Sequence, residues 1–390
     1  MIECRRLLHR VQAVLILSCN AAMLQPSRAG TQPLQPPPPL PRRPWLAPVA
    51  GVVQAGDRCG VASPPDDCSD GATTLRVAAI QLTDFADGVN RSASEETKAR
   101  TAKAILYLEQ ASALGVDVAV LPEMGLVQYN AAALLEGTQV DMDAAEAAVS
   151  AACKKFGIWA IIGLPHYYVP PPETQNTTGL PLPSCCTREK CWYNTGLVID
   201  DTGAKTYRQA KMHSAGPDGQ LGVWLDTFKV AKNVTASMQI CYDAYFPHMT
   251  LLPVLKGSRL IFDLSSERGY DSDYYYQTIG ALYQGRAQES GVHVVQANTG
   301  AAIKPTPNMV HVGTYAGSHG NSQIISTDGH ILAKATHTHE QIVYADIPID
   351  TQAPARGGFA GTNPIFERWL SAGVDLIGQR MPISMGVASK

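Results

Sequence analysis

From Leu75 to Pro348 the chain alternates short apolar runs with longer helical stretches, and this rhythm limits the possible folds more than any other feature. "LRVAAIQL" reads as a buried strand, and "SEETKARTAKAILYLEQASALG" as a helix with serine at its entry, glutamates in its first turn and Gly115 at its exit. "VDVAVLPE" is then a second strand, "DMDAAEAAVSAACKKFG" a second helix and "IWAIIGLPHYY" a third strand. Two strands joined by a turn at Asp201 to Gly203 follow in "WYNTGLVIDDTGAKTYRQAKMH", then the apolar strand "TASMQICYD". A helix after Phe246, the strand "RLIFDLS", a helix from roughly 272 to 290 and the strands "VHVVQANTG", "NSQIISTDG", "HILAKAT" and "QIVYADIPID" complete the pattern. Such alternation implies an α/β fold with helices covering a sheet, and the hairpin patches make that sheet mixed. The sequence has no repeat of fixed period, which excludes a solenoid or propeller.

The core is read as residues 74–350, with Val169–Lys190 as a surface insertion carrying prolines and cysteines. Residues 1–30 read as a leader: a basic start, "MIECRRLLHR", precedes the apolar "VQAVLILSCNAAM", which is too short to span a bilayer. A secretory signal peptide is the first reading. The absence of acidic residues between Glu3 and Asp57 also suits an organelle transit peptide. Residues 31–73 are a proline-rich, partly disordered linker, and 351–390 a C-terminal extension. No segment is apolar for long enough to be a membrane-spanning helix. A formal charge of -3, with 31 basic and 34 acidic residues interspersed, supplies no basic stripe for nucleic acid.

Of nine cysteines, Cys4 and Cys19 fall in the leader. Setting Cys241 aside leaves Cys59, Cys68, Cys153, Cys185, Cys186 and Cys191, an even set that suits three disulfides in an oxidising compartment, with Cys59 and Cys68 as a local pair. Free thiols in a reducing compartment are the competing reading. A zinc site from "CCTREKC" with His337 and His339 lacks the usual CxxC spacing. Sequons at Asn90, Asn176 and Asn233 become glycan sites only in the secretory pathway.

Three side chains could carry chemistry. Cys241, in "MQICYDAYFP", stands where a strand runs into a helix start, a place where the helix dipole favours a thiolate. Glu123 emerges at the carboxyl end of a buried strand, where ligands bind in open α/β sheets. Lys211 closes the strand patch "YRQAKMH". Singly, each also reads as an ordinary core thiol, surface carboxylate or solvated lysine.

Taken in order, "LPEMG", "YRQAKMH" and "MQICYDAYFP" resemble the Glu-Lys-Cys set of the nitrilase, or carbon-nitrogen hydrolase, superfamily. "WYNTGLVIDDTG", "GRAQESGVHVVQANTG" and "GNSQIISTDGHILAKA" support the resemblance, which spans about 74 to 350. It implies an α-β-β-α sandwich with mixed sheets, free of metal and cofactor. It also implies hydrolysis of a small amide or nitrile, with Glu123 as general base, Lys211 as oxyanion stabiliser and Cys241 as the nucleophile that forms a thioester. Tyr242, Asp218 and Ser266 are the expected substrate-binding residues. Many members carry a second glutamate between the lysine and the cysteine. Here no Glu occurs from Lys190 to Arg259, and Asp218 is the only acidic residue between Lys211 and Asp226. Family members usually pair, so a homodimer is expected. The competing readings are a nitrile hydrolase and an inactive secreted glycoprotein that uses the sandwich as a binding module.

Overall fold

The computed structural model describes residues 51–54, 74–83, 91–127, 129, 131–169, 190–214, 219–267, 273–300, 311–312, 315–316, 320–349, 368 and 371–375. In chain order the elements begin with β1 (Gly51–Gln54), β2 (Thr74–Gln81), α1 (Ala93–Ala113), β3 (Val118–Val120), α2 (Ala131–Glu136), α3 (Gln139–Phe156) and β4 (Trp159–Tyr168). Next come β5 (Cys191–Ile199), β6 (Lys205–Ala210), β7 (Phe228–Val230), β8 (Val234–Ile240), α4 (Pro247–Leu255), β9 (Leu260–Ser265) and α5 (Asp273–Ser290). The chain continues with β10 (His293–Asn298), β11 (His311–Val312), β12 (Tyr315–Ala316), β13 (Gln323–Ile325), β14 (Ile331–Lys334) and β15 (Gln341–Pro348).

Two mixed sheets result. One runs β1-β15-β2-β3-β4-β5-β6 and the other β14-β13-β10-β9-β8-β7. Successive strand residues point to opposite faces, so a strand buried on both faces must be apolar at nearly every position. On β2, Leu75, Val77 and Ala79 join Phe262, Met238 and Val295 in the layer between the sheets. Ala78, Ile80 and Leu82 turn the other way and pack with Leu108 of α1 and Val149 of α3. The second sheet is covered in the same manner, with Ile261 and Val294 against Ile279 and Tyr283 of α5. These are the four layers of the α-β-β-α sandwich that the family resemblance implies, with two sheets where the strand-helix alternation alone indicates one. Among the described residues no helix is long and apolar enough to cross a membrane.

Local chemistry fixes the helix ends. At α1 the cap is Ser92, two residues before the serine that opens the predicted helix: Ser92 accepts from the Glu95 N–H while the Glu95 carboxylate accepts from the Ser92 N–H. Ser94 instead donates to Asp141 at 2.6 Å, tying α1 to α3. Gly157 ends α3 in the left-handed conformation, φ 65°, which a side chain disfavours.

Several expectations shift. Gly51–Gln54, inside the stretch read as linker, forms a strand parallel to Gln341–Tyr344. Helix α2 has no counterpart in the sequence reading. Cys153 is a free, fully buried thiol on α3, so the six cysteines do not form three disulfides. It packs beside Val149 as a small hydrophobe, and burial pushes its thiol up to about 12. Cys59, Cys68, Cys185, Cys186, Asp218, Asn90, Asn176 and most of the Val169–Lys190 insertion lie outside the described residues.

Candidate active site

The carboxyl ends of β3, β6, β8 and β9 converge, and each delivers one group. After β3 the chain turns at Pro122 and buries the Glu123 carboxylate. That turn packs directly onto Gly163 of β4, where an added Cβ would stand 2.8 Å from the Glu123 Cα, so only glycine fits. After β6, Lys211 is buried as well; its N–H donates to the Asn194 carbonyl at 2.8 Å and its carbonyl accepts from the Gly222 N–H at 2.7 Å. The Lys211 ammonium donates to Glu123 Oε1 at 2.9 Å.

Glu123 is held from all sides. Oε1 also accepts from Asn194 Nδ2 at 2.6 Å and from the Tyr129 hydroxyl at 3.4 Å, and Oε2 accepts from the Ser266 N–H at 3.0 Å. Two of these partners extend the sequence reading. Ser266, expected to bind substrate, has its backbone N–H on the carboxylate, and Asn194 was not foreseen.

Cys241 follows β8 directly, opening a tight 3-10 turn, Cys241–Tyr245, before α4 begins at Pro247. Its φ of 52° is unusual for a residue with a side chain, and strained backbone of this kind clusters at functional sites. The thiol is free. Loss of water on burial raises its pKa well above the ordinary thiol range; the Glu123 charge raises it further, and Lys211 partly opposes this. The helix start that the sequence reading set beside the sulfur favours a thiolate, while burial and the carboxylates around it act in the opposite direction. The residue as a whole keeps some exposure, but its surroundings are densely packed and carry two further carboxylates, Glu267 and Asp263.

Asp243 joins the lysine and cysteine loops. Fully buried, it accepts from the Met212 N–H at 3.1 Å, the His213 N–H at 2.8 Å and the Ile240 N–H at 3.2 Å, and its Oδ1 lies 2.9 Å from His213 Nδ1. The His213 ring stacks on Phe246 at 3.7 Å. One carboxylate thus fixes the positions of both Lys211 and Cys241. The Tyr242 ring lies against Tyr245 and Phe246 at 5.0 and 5.4 Å. Among the described residues no group of three or more His, Cys, Asp or Glu side chains could hold a metal ion.

The chain as a whole is similar to known proteins in both sequence and fold. The chain is 27% identical over 267 residues to a formamidase of Allorhizobium ampelinum, covering 65% of this chain and 66% of that protein. It is 26% identical over 185 residues to a formamidase of Bradyrhizobium sp., covering 45% and 50%. The chain thus spans between half and two thirds of the length of these relatives. An amidase from Nesterenkonia sp. AN1, solved in complex with acrylamide, superposes with a TM-score of 0.56 at 17% identity, covering 76% of this chain and 97% of that one. The family model for carbon-nitrogen hydrolases matches residues 76–356, most of the sequence, and the chain belongs to the carbon-nitrogen hydrolase family.

Proposed function

We propose that the protein is an amidase that cleaves small amides through a thioester on Cys241. The observation that carries this reading is the buried contact between Lys211 and Glu123, 2.9 Å long, beside the only free thiol on a positive-φ turn among the described residues. In the resting state the thiol keeps its proton, because burial and the neighbouring Glu123 raise it well above the ordinary thiol range. As sulfur attacks the amide carbon, Glu123 takes the thiol proton. Negative charge then builds on the amide oxygen, where the Lys211 ammonium and the Tyr242 N–H stabilise it; each such donor is worth roughly a hundred- to a thousandfold in rate. Glu123 returns its proton to the nitrogen, ammonia leaves and the C–N bond is broken. Water, deprotonated by Glu123, attacks the thioester carbon, the acid departs and the S–H is restored. One amide and one water give one acid and one ammonia.

Relatives named formamidase and amidase support formamide and short-chain amides as the first substrates to test. Ammonia release from a panel of amides, nitriles and carbamoyl compounds, with Cys241→Ala as the control, tests the reading. Release from amides that the alanine variant lacks is the expected result; equal release from both proteins refutes it.

We further propose that the chain enters the secretory pathway and works as a homodimer. The leader and an exposed Asn233 in the sequon "NVT" support the first part. A mobility shift on glycan removal, lost in Asn233→Gln, tests the compartment.

A further inference from the structure

The helix-facing side of the second sheet, apolar at Ile261 and Val294, turns polar further along its strands. Gln239 of β8 and Gln296 of β10 flank Asp263 of β9 at one register, Gln323 of β13 pairs with Gln296, and all four are buried. Two residues further along β9 stands Ser265, also fully buried, and the fully buried Tyr283 of α5 lies over it. Burying so many polar groups is unfavourable unless each is hydrogen-bonded.

Four of these side chains form a continuous line of oxygens. Ser265 Oγ bonds to Asp263 Oδ1, Ser265 Oγ lies 3.0 Å from the Tyr283 hydroxyl, and the Tyr283 hydroxyl bonds to Glu267 Oε1 at 3.0 Å. Three oxygen-oxygen contacts need three O–H protons. The serine and tyrosine hydroxyls supply two, so the third has to come from a carboxyl. Asp263 is the more enclosed of the two acids, at 0% exposure against 6% for Glu267. With the proton on Asp263 every link is made: Asp263 donates to Ser265, Ser265 to Tyr283 and Tyr283 to Glu267. Two carboxyls sharing one proton at short range is the arrangement that like-charge repulsion enforces.

We propose that Asp263, Ser265, Tyr283 and Glu267 form a positioning unit that carries one carboxyl proton and so holds a single negative charge beside Cys241. Burial and the neighbouring Glu267 push Asp263 well above the ordinary carboxylate range, and both acids act on the Cys241 thiol. Among the described residues, the titratable and charged groups that act on Asp263 or on the sulfur beside it are Cys241 from the turn after β8, Tyr283 from α5, Glu267 from the loop after β9 and, beyond the sulfur, Glu123 and Lys211. Arg286 is occupied one turn away, donating to the Ala244 carbonyl at 3.0 Å. β8 and β10 contribute only the neutral Gln239 and Gln296 at this register. Loss of the shared proton at alkaline pH adds a second negative charge near the sulfur and opposes thiolate formation. The effect on turnover rests on the proposed role of Cys241, whereas the protonation itself does not.

Infrared spectroscopy of the full chain near neutral pH tests the proton directly. The expected result is a protonated-carboxyl C=O band that Asp263→Asn lacks; no band in the wild type, or one unchanged in Asp263→Asn, overturns the proposal. Tyr283→Phe provides a second variant, in which cutting the donor line moves the band to higher frequency, and an unmoved band counts against it. Alkylation of Cys241 by iodoacetamide across pH gives a second readout. Wild type gains reactivity over a wide pH span because two deprotonations oppose each other, whereas Asp263→Asn rises along a steeper single-group curve and exceeds wild type several-fold at the alkaline end. Superimposed curves refute the charge-holding role. A band with an inert Cys241 sinks the acyl-enzyme reading while leaving the shared proton established.

Discussion

Replacing Glu123 with glutamine should push two properties of the site in opposite directions. The substitution keeps the side chain's size and the oxygen that accepts from Asn194 and Lys211, but removes both the charge and the base. A positioned general base contributes about 10²- to 10⁴-fold, or about 3–5 kcal/mol, so amide hydrolysis should fall by that much. The same charge is the largest influence, after burial, raising the Cys241 thiol. Its removal should move thiolate formation to lower pH, so iodoacetamide should label Cys241 faster at a given pH. The fold should weaken too. Stranding one member of a buried ion pair costs about 3–5 kcal/mol, less here because glutamine still offers an acceptor and the lysine can release its proton. Ammonia release, the pH profile of labelling and thermal unfolding measure the three effects on one protein. Hydrolysis within tenfold of wild type, or labelling displaced to higher pH, would refute the assignment of Glu123 as the base.

Gly163→Ala places a methyl against the Glu123 turn and should cut kcat/KM at least tenfold, with little change in the β4 strand itself by circular dichroism. Asp243→Asn can keep an oxygen on the Met212 and His213 N–H groups only by setting its amide N–H against the Ile240 N–H; it should cost about 1–3 kcal/mol in thermal or urea unfolding and lower activity with it. Because the folded-state thiol pKa is raised, Cys241 keeps its proton as pH climbs past the ordinary value of about 8.5, so kcat/KM should show no decline centred there. A steady-state pH profile checks this. Ser92→Ala removes a reciprocal cap far from the site and should cost about 1 kcal/mol of stability with unchanged kcat/KM.

The α/β alternation was legible because β2, β4, β8 and β9 are buried on both faces, which leaves long unbroken apolar runs between helical stretches; the second sheet came only from the family resemblance. Ser92 carries a sequence signal, the S-x-x-E pattern with Glu95, that outranks the nearer Ser94. Cys153 carried one as well: it lies four residues after Val149 on the buried stripe of α3, the spacing of a core position and not of a disulfide. Other features left no local trace. Asn194, in the middle of an apolar strand, gains its meaning only when β5 is laid beside the Glu123 turn. Asp263, Tyr283 and Glu267 meet only through a parallel strand, its following loop and a helix, and no short-range spacing encodes that meeting. Only part of the Cys241 environment was legible: a helix start can be read in the sequence, whereas the desolvation and carboxylates that oppose it are tertiary.

Acid-quenched mixtures of the protein with a slowly turned-over amide, digested and weighed peptide by peptide, address the thioester most directly. The acyl mass should appear on the peptide that contains Cys241, and added hydroxylamine should remove it as the hydroxamate. Acylation of a different residue, or hydroxamate formation at an undiminished rate by Cys241→Ala, would contradict a nucleophilic Cys241.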